Sequence, residues 1–266
     1  MSLLDYNVMR WNSLEDGPWS DSLTRQFQDE GFNALSITVG SGRRPGNLKF
    51  IEALPGLECL HCRGRVPDDT AAFAVDSLIE LELVTNCRLA VPDSVQPNMN
   101  SLVMTARPNL SLADHWPEAQ RVRIGNWKTA DLTALGGGSS VRSLTVEGCR
   151  QRATLEGADQ LSALEELVVV NYQVRDTAPL RGLAHLREVR LLAAKPTPPH
   201  AVVDFGDLAT DQLQKVWISH ASSLRGLDLL CDLPALREVR LIGCVLTSED
   251  VGAIDAARGR VKIEIL

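Results

Sequence analysis

The chain has 266 residues, of which 44% are hydrophobic and 23% are charged, and this ordinary globular composition argues against intrinsic disorder. Its net charge of −7 argues against nucleic-acid and anionic-membrane binding, because affinity for phosphates comes mostly from clustered Lys and Arg. No apolar stretch approaches the roughly 20 residues that a membrane-spanning helix needs. The 39 leucines stand against only two Tyr and five Phe, so the sequence predicts an aliphatic core.

Residues 1–31 do not fit the repeat that fills the rest of the chain, and we predict that they form an N-terminal cap. They hold two tryptophans and an amphipathic stretch, 20–30, in which Leu23 and Phe27 lie four residues apart. The N-terminus lacks the charged, apolar and small-residue regions of a secretory signal, so a cytoplasmic protein with reduced cysteines is expected. Arg outnumbers Lys 22 to 5, which fits a bacterial genome rich in G and C.

From residue 32 onward the frame L-x-x-L-x-L recurs every 20 to 27 residues, with other apolar residues allowed at the leucine positions. The hexapeptide at 186–191 reappears letter for letter at 236–241. Copies of the frame begin at Phe32, Leu57, Leu78, Met99, Ala119, Val141, Leu164, Leu186, Leu213 and Leu236. An eleventh, degraded copy runs from Arg258 through Val261 and Ile263, which predicts eleven strands in all.

This pattern resembles the leucine-rich repeat family, whose unit of 20 to 29 residues reads L-x-x-L-x-L-x-x-N/C-x-L. The match covers residues 32–266. At the ninth position Cys149 and Cys244 fit the pattern, whereas five other frames depart from it, with Arg107, Trp127, Tyr172, Ala194 and Ala221. The resemblance implies an α/β solenoid, a leucine-rich repeat horseshoe with a parallel concave sheet of about 11 strands and short helical or 3₁₀ convex segments. Each repeat alone cannot bury its apolar strand face, so the repeats must stack into a single domain.

The end of the chain, 259–266, is predicted to be the last strand and the C-terminal end of the solenoid. Lys262 and Glu264 alternate there with apolar residues. Either these charges discourage pairing at the sheet edge, or a second molecule covers it.

The motif Cys59-x-x-Cys62 suggests zinc binding or redox chemistry, but the repeat frame argues against both. Cys62 falls on a core position and Cys59 faces out, and no second Cys or His pair supplies further ligands. We therefore predict structural cysteines, with no metal and no other cofactor. The scattered histidines and adjacent acids form no recognisable catalytic motif, so we predict that the protein is not an enzyme. An enzyme would need a hidden site, for instance around His61, Glu80 and Glu82.

Alternate strand positions would face the concave side, where repeat proteins usually bind. In the C-terminal half Trp217 falls between Arg190 and Arg240, and an exposed Trp ringed by charges has the composition of a binding hot spot. The same strands carry further candidate binding residues, namely Glu166, Glu188, Lys215 and Glu238.

A second candidate group lies earlier in the chain and comprises His61, Glu80, Glu82, Arg121 and Arg123. The two arginines are expected next to the two glutamates. For any single charge, the plainer interpretation is a cross-strand pair that keeps a long sheet soluble.

The sequence thus predicts a non-catalytic scaffold that recognises a partner protein on its concave face. A more specific hypothesis is an inhibitor or immunity protein against a bacterial toxin or effector. The alternative is a structural or adaptor protein that forms end-to-end dimers through the terminal strand. Nucleic-acid and membrane partners are not expected, and the chain itself should be a monomer or a weak homodimer.

Overall fold

The computed structural model describes residues 6–40, 45–148, 153–171, 173–198 and 200–266. The chain divides into two compact units, Met1–Val122 (unit 1) and Arg123–Leu266 (unit 2). Across the described residues, every helix falls short of the length and apolarity that a membrane crossing requires.

Unit 1 alternates parallel strands with short helical segments. Its strands are β1 (Val8–Asn12), β2 (Ala34–Val39), β3 (Cys59–Gly64), β4 (Glu80–Thr85) and β5 (Ser101–Thr105), and β6 (Arg121–Trp127) begins in this unit and ends in unit 2. Its helical segments are α1 (Asp21–Asp29), α2 (Leu112–His115) and 3₁₀ turns at Lys49–Ala53 and Thr70–Ala74. From β1 to β5 each strand pairs in parallel with the next, because the connecting segment, which is helical except for the loop between β4 and β5, returns the chain to the same end of the sheet.

Unit 2 repeats this alternation. Its strands are β7 (Ser143–Gly148), β8 (Glu166–Val170), β9 (Glu188–Leu192), β10 (Val203–Asp204), β11 (Lys215–Ser219), β12 (Leu224–Arg225), β13 (Glu238–Ile242) and β14 (Lys262–Ile265). Helices α3 (Phe205–Leu208) and α4 (Ser248–Ala257) accompany 3₁₀ turns at Thr133–Leu135, Ala158–Gln160, Ala178–Leu180 and Leu227–Cys231. The order in the sheet is β7-β8-β9-β11-β13-β14, while β10 and β12 pair separately.

The repeat frame sets where the strands lie. Each of the ten complete frames places a strand at its third position, so that β8 begins at Glu166 in the frame of Leu164. Within β8, Leu167 and Val169 are fully buried and pair with buried apolar residues of β9. The predicted leucine-rich repeat fold is confirmed by this agreement between frame, strand start and burial.

The strand face opposite the leucines is called the open face. In unit 1 it carries Cys59, His61, Glu80 and Glu82. In unit 2 it carries Glu166, Glu188, Arg190, Lys215, Trp217, Glu238, Arg240, Lys262 and Glu264.

Both ends of the strand series differ from the sequence prediction. The segment 1–31 contains β1, which pairs with β2 in the register Val8↔Ala34 and so adds a parallel strand ahead of the first repeat frame. At the other end Lys262 pairs with Glu238, so the last frame begins at Arg260 rather than Arg258. The ten-residue helix α4 lies in this repeat, and the distance along the chain from Leu236 to the next frame is two residues longer than a frame beginning at Arg258 would give. The two-residue shift leaves Lys262 and Glu264 on the open face, as predicted.

A buried ion pair occupies one of the irregular ninth positions. Arg107 and Asp69 are both fully buried side chains, and the guanidinium donates two hydrogen bonds to the carboxylate, at 2.6 and 3.1 Å. The Thr85 hydroxyl donates to the same carboxylate at 2.5 Å.

Cys244, at another ninth position, points its thiol at the carbonyl oxygen of Ile218 at 3.5 Å, whereas Cys149 lies outside the described residues.

Strand β3 ends at Gly64, where the backbone excludes any larger residue. Its φ of +120° is one that side-chain-bearing residues rarely adopt, and a Cβ there would lie 2.2 Å from the carbonyl oxygen of Val39. We expect Gly64→Ala to lower the free energy of unfolding by about 1–3 kcal/mol, measured by urea denaturation. The control is Gly252→Ala inside α4, where a Cβ meets nothing within 4 Å and about 0.5–1 kcal/mol should be gained. Equal effects of both substitutions would contradict this prediction.

Candidate functional site

Trp217 occupies the open face of unit 2 between two arginines. The parallel register sets it beside Arg190 on β9 and Arg240 on β13. The guanidinium carbons of Arg190 and Arg240 stand 4.3 and 4.4 Å from the ring centroid, well inside the roughly 6 Å range of cation–π attraction. The half-buried ring is therefore stacked between two cations of its own chain rather than lying bare in solvent.

The indole N–H of Trp217 is the unusual feature of this stack. Its Nε1 atom is buried and has no hydrogen-bond partner among the described residues. An unpaired buried donor costs free energy, on the order of 1–3 kcal/mol, so buried Trp side chains normally direct this group at an acceptor. The stack thus holds an aromatic group with an unused hydrogen-bond donor on the open face.

Acidic residues on the same face hold the two arginines in place. Arg240 places its Nε atom 2.7 Å from Glu238 and 2.9 Å from Glu264, and Arg190 contacts Glu188 directly. Lys215 lies 3.7 Å from Glu188, and the closest approach of Arg190 to Glu166 is 4.0 Å. The structure therefore brings together all seven residues predicted for this part of the chain. With Lys262 and Glu264 these residues comprise four acids and four bases, so their charges balance.

The open face of unit 1 carries a two-by-two array of polar residues. Strands β3 and β4 pair Cys59 with Glu80 and His61 with Glu82. The Nε2 atom of His61 lies 2.9 Å from Glu80 Oε1, and its Nδ1 atom lies 4.0 Å from Glu82 Oε2. Arg63 holds Glu82 from the other side, with a contact of 3.1 Å. The histidine and both glutamates are each at most 15% exposed, so this is a largely desolvated cluster.

Cys59 departs from the sequence prediction in its exposure. It shares the face of His61, as the frame requires, yet its side chain is fully buried and so is that of its β2 partner Ala34. Burial, reinforced by the negative charges of Glu80 and Glu82, raises the pKa of the Cys59 thiol to about 12. Burial also raises the pKa of Cys62, a core residue as expected, to about 12. Both thiols are protonated at neutral pH and are poor nucleophiles.

These pKa values predict how the thiols react. In the native protein, Cys59 and Cys62 should resist iodoacetamide at pH 8, because only about one thiol in ten thousand is then ionised. Both should be labelled once urea unfolds the chain, and peptide mass spectrometry reads out each site. Half-exposed Cys231 is the internal reference and should react in the native state. Fast native labelling of Cys59 would contradict the prediction.

The expectation that Arg121 and Arg123 lie directly beside Glu80 and Glu82 is wrong. Strand β5 intervenes, so that Glu80 pairs with Ser101 and Glu82 with Val103. Arg121 instead lines, with Glu80, a groove of about 660 Å³ in unit 1, together with Tyr6, Glu58 and Asn100. Arg123 donates its Nε–H to Glu147 on β7 at 2.9 Å. One repeat lies between the glutamates and the arginines in the sequence, so one strand, β5, lies between them in the sheet. This separation prevents the expected direct ion pairs.

Comparison with known proteins gives fold likeness alone. No protein-family model and no curated protein matches the sequence. Among solved structures, internalin C2 from Listeria monocytogenes is similar at 15% identity and a TM-score of 0.43, and an internalin (inlF) from the same organism at 15% and 0.44. In both cases the match covers 91% of this chain and 84% of the other. The leucine-rich repeat fold is therefore assigned from the chain's own repeats, strand register and buried leucines.

Proposed function

We propose that this leucine-rich repeat protein is a non-catalytic scaffold that binds a partner protein on the open face of unit 2, centred on Trp217. The observation that carries the proposal is the stack of Trp217 between Arg190 and Arg240 with its indole N–H unpaired. Trp and Arg are the residue types that dominate binding hot spots, and a partner acceptor that reached the N–H would satisfy it.

The balanced charges around Trp217 support a partner surface of mixed charge. The four acids and four bases named above already pair with one another. Five of these contacts have nitrogen–oxygen distances between 2.6 and 4.0 Å. Such pairs fix register and exclude wrong partners more than they add affinity. We therefore expect the affinity to change less than tenfold when the salt concentration rises from about 0.05 to 0.5 M, because no large net field is screened.

The test begins with affinity capture on the immobilised protein, followed by purification of the captured partner. Calorimetric titration should then show that Trp217→Ala and Arg190→Glu each weaken binding by about 30-fold or more, the size of a hot-spot loss of about 2 kcal/mol. The control is Val245→Ala, a side chain that is 60% exposed outside the sheet strands, which should bind as wild type does. Wild-type affinity in both sheet-face variants would contradict the assignment.

A bacterial toxin or effector is the partner class that we propose within this function, with the chain as its inhibitor. The net charge of −7 belongs to the whole chain and supports faster association with a positively charged partner, an effect on the association rate that is separate from the mixed charge expected at the contact surface itself. The test is the activity of the captured partner with increasing amounts of the chain. Complete inhibition at one equivalent would support the inhibitor hypothesis, and an unaffected partner activity would contradict it.

A homodimer through β14 is the second candidate, favoured by one observation. Among the described strands β14 pairs only with β13, and its last residue Ile265 and the following Leu266 are 42% and 73% exposed. An apolar open edge is a template for pairing with another strand. Light scattering over a dilution series should then report a dimer that Ile265→Lys converts to a monomer. A wild-type mass equal to one chain at every concentration would remove this candidate.

A further inference from the structure

Cys59, His61 and Glu80 bring three kinds of ligand atom together on the open face of unit 1. A thiol sulfur, a ring nitrogen and a carboxylate oxygen all lie within 4.8 Å of one another. Strand geometry produces this convergence, because Cys59 and His61 are two residues apart on β3 and Glu80 is the register partner of Cys59 on β4. Over the described ranges, no other three His, Cys, Asp or Glu side chains converge in this way.

We propose that Cys59, His61 and Glu80 bind one Zn²⁺ ion and leave its fourth ligand position open to solvent. Zn²⁺ accepts sulfur, imidazole nitrogen and carboxylate oxygen, and sites with three protein ligands take water as the fourth. Ca²⁺ and Mg²⁺ are disfavoured because they require oxygen ligands almost exclusively. The proposed site is independent of the partner-binding function assigned to unit 2.

The distances fit this ion after small side-chain movements. In a tetrahedral site with bonds of about 2.0–2.3 Å, ligand atoms lie about 3.4–3.6 Å apart. The His61–Glu80 contact of 2.9 Å would open by about half an ångström. The widest separation, at most 4.8 Å, would close by no more than about 1.3 Å. Rotation about side-chain bonds covers both changes, so the backbone of β3 and β4 can stay in place.

Glu82 and Arg63 supply the support that zinc-binding histidines usually have. If His61 binds the ion through Nε2, its Nδ1–H faces Glu82 Oε2, 4.0 Å away, and a movement of about 1 Å would bring the two atoms into hydrogen-bond range. Arg63 fixes that carboxylate through its guanidinium. A carboxylate that accepts from the second ring nitrogen orients a histidine ligand and makes it more basic. Glu82 is therefore a positioning residue rather than a ligand.

The groove beside Glu80 would give solvent access to the open position, because Glu80 belongs both to the ligand cluster and to the lining of the groove. This groove, of about 660 Å³, is also lined by Tyr6, Glu58 and Arg121. On the other side Cys59 is fully buried, so the ion would sit at the boundary between the packed strands and the groove. A site of this form binds an exchangeable water, which distinguishes it from a closed structural zinc site.

Titration of the reduced, chelator-treated full chain with Co²⁺ tests the proposal. Wild type should show one equivalent of Co²⁺ with visible d–d bands and a near-ultraviolet thiolate band, and Zn²⁺ should bleach both. Cys59→Ser and Cys59→Ala should lose the thiolate band, and His61→Ala should lose stoichiometric binding. The matched controls Cys231→Ser and His185→Ala remove the same groups outside the array and should bind as wild type does.

The Glu82→Gln variant tests whether Glu82 orients His61 or binds the metal ion itself. It should keep both cobalt bands but weaken Zn²⁺ binding by about 10–100-fold, the usual cost of losing such a supporting carboxylate. Equimolar Zn²⁺ should also raise the thermal unfolding midpoint of wild type and not of His61→Ala, which provides a readout that does not depend on a spectrum. The proposal is overturned if wild type shows no cobalt–thiolate band, or if both Cys59 variants retain it. The array would then be only a set of cross-strand polar pairs.

Discussion

Replacing Arg107 by Met is expected to lower the free energy of unfolding by about 3–5 kcal/mol, the largest effect of any charge removal in the described chain. The side chains of Arg107 and Asp69 are both 0% exposed, and the guanidinium makes a two-pronged contact with the carboxylate. Without the arginine, Asp69 keeps only the Thr85 hydroxyl as a side-chain donor, and an unpaired charge remains in a medium that solvates it poorly. Urea unfolding followed by circular dichroism at neutral pH measures the loss.

Two comparisons separate burial from charge in this prediction. Arg142→Met removes an arginine whose pair with Glu165 is solvent-exposed, and it should cost about 1 kcal/mol or less. The double variant Asp69→Asn with Arg107→Met should be far less unstable than the sum of its single variants, because the orphaned charge is gone. A loss below about 1 kcal/mol in Arg107→Met would show that the pair does not carry the stability assigned to it.

Trp116→Ala is expected to cost about 3–5 kcal/mol, since it empties the largest fully buried side chain of unit 1. The ring packs against Phe73 with centroids 5.9 Å apart, and its Nε1–H donates to Gln96 Oε1 at 2.8 Å. Gln96 in turn donates to the backbone oxygens of Ala72 and Val75, so the indole connects two segments of the chain. Chemical denaturation with a change in Trp fluorescence reports the effect.

Trp116→Phe divides this loss into packing and hydrogen bonding. It retains most of the apolar volume but leaves the side-chain oxygen of Gln96 without its donor, so about 1–3 kcal/mol should be lost. Trp217→Ala removes the same group from a half-buried position and should cost less than Trp116→Ala. Equal losses at the two tryptophans would mean that burial does not set the scale of the effect.

The two polar clusters show how one strand face can serve different chemistry. In unit 2 long side chains meet around an aromatic ring, and cation–π contacts and ion pairs leave a charge-balanced surface. In unit 1 the shorter side chains of His61 and Glu80 meet the buried thiol of Cys59, and the result is a small, largely desolvated cluster of potential metal ligands. The fold supplies the same register in both, and the side chains decide what each region can bind.

The sequence by itself determined the repeat frame, the start of ten strands and the burial of their leucines. It also placed Trp217 between Arg190 and Arg240, because residues at equal positions of neighbouring frames become register partners in a parallel sheet. These features depend on a local period, which a single chain displays directly. The strand β1 escaped prediction since Val8–Asn12 does not carry the leucine pattern, even though it pairs with β2 as the others do.

The tertiary structure alone decided which polar groups are buried and which of them meet. Arg107 and Asp69 are 38 residues apart, in repeats that are separated by the repeat beginning at Leu78, and form their pair only when these repeats stack. The frame position of Cys59 predicts an exposed side chain, but neighbouring residues bury it. Helix α4 moves the start of the last frame by two residues. Desolvation and pairing depend on every neighbour in space, whereas the frame describes only the direction of each side chain along its strand.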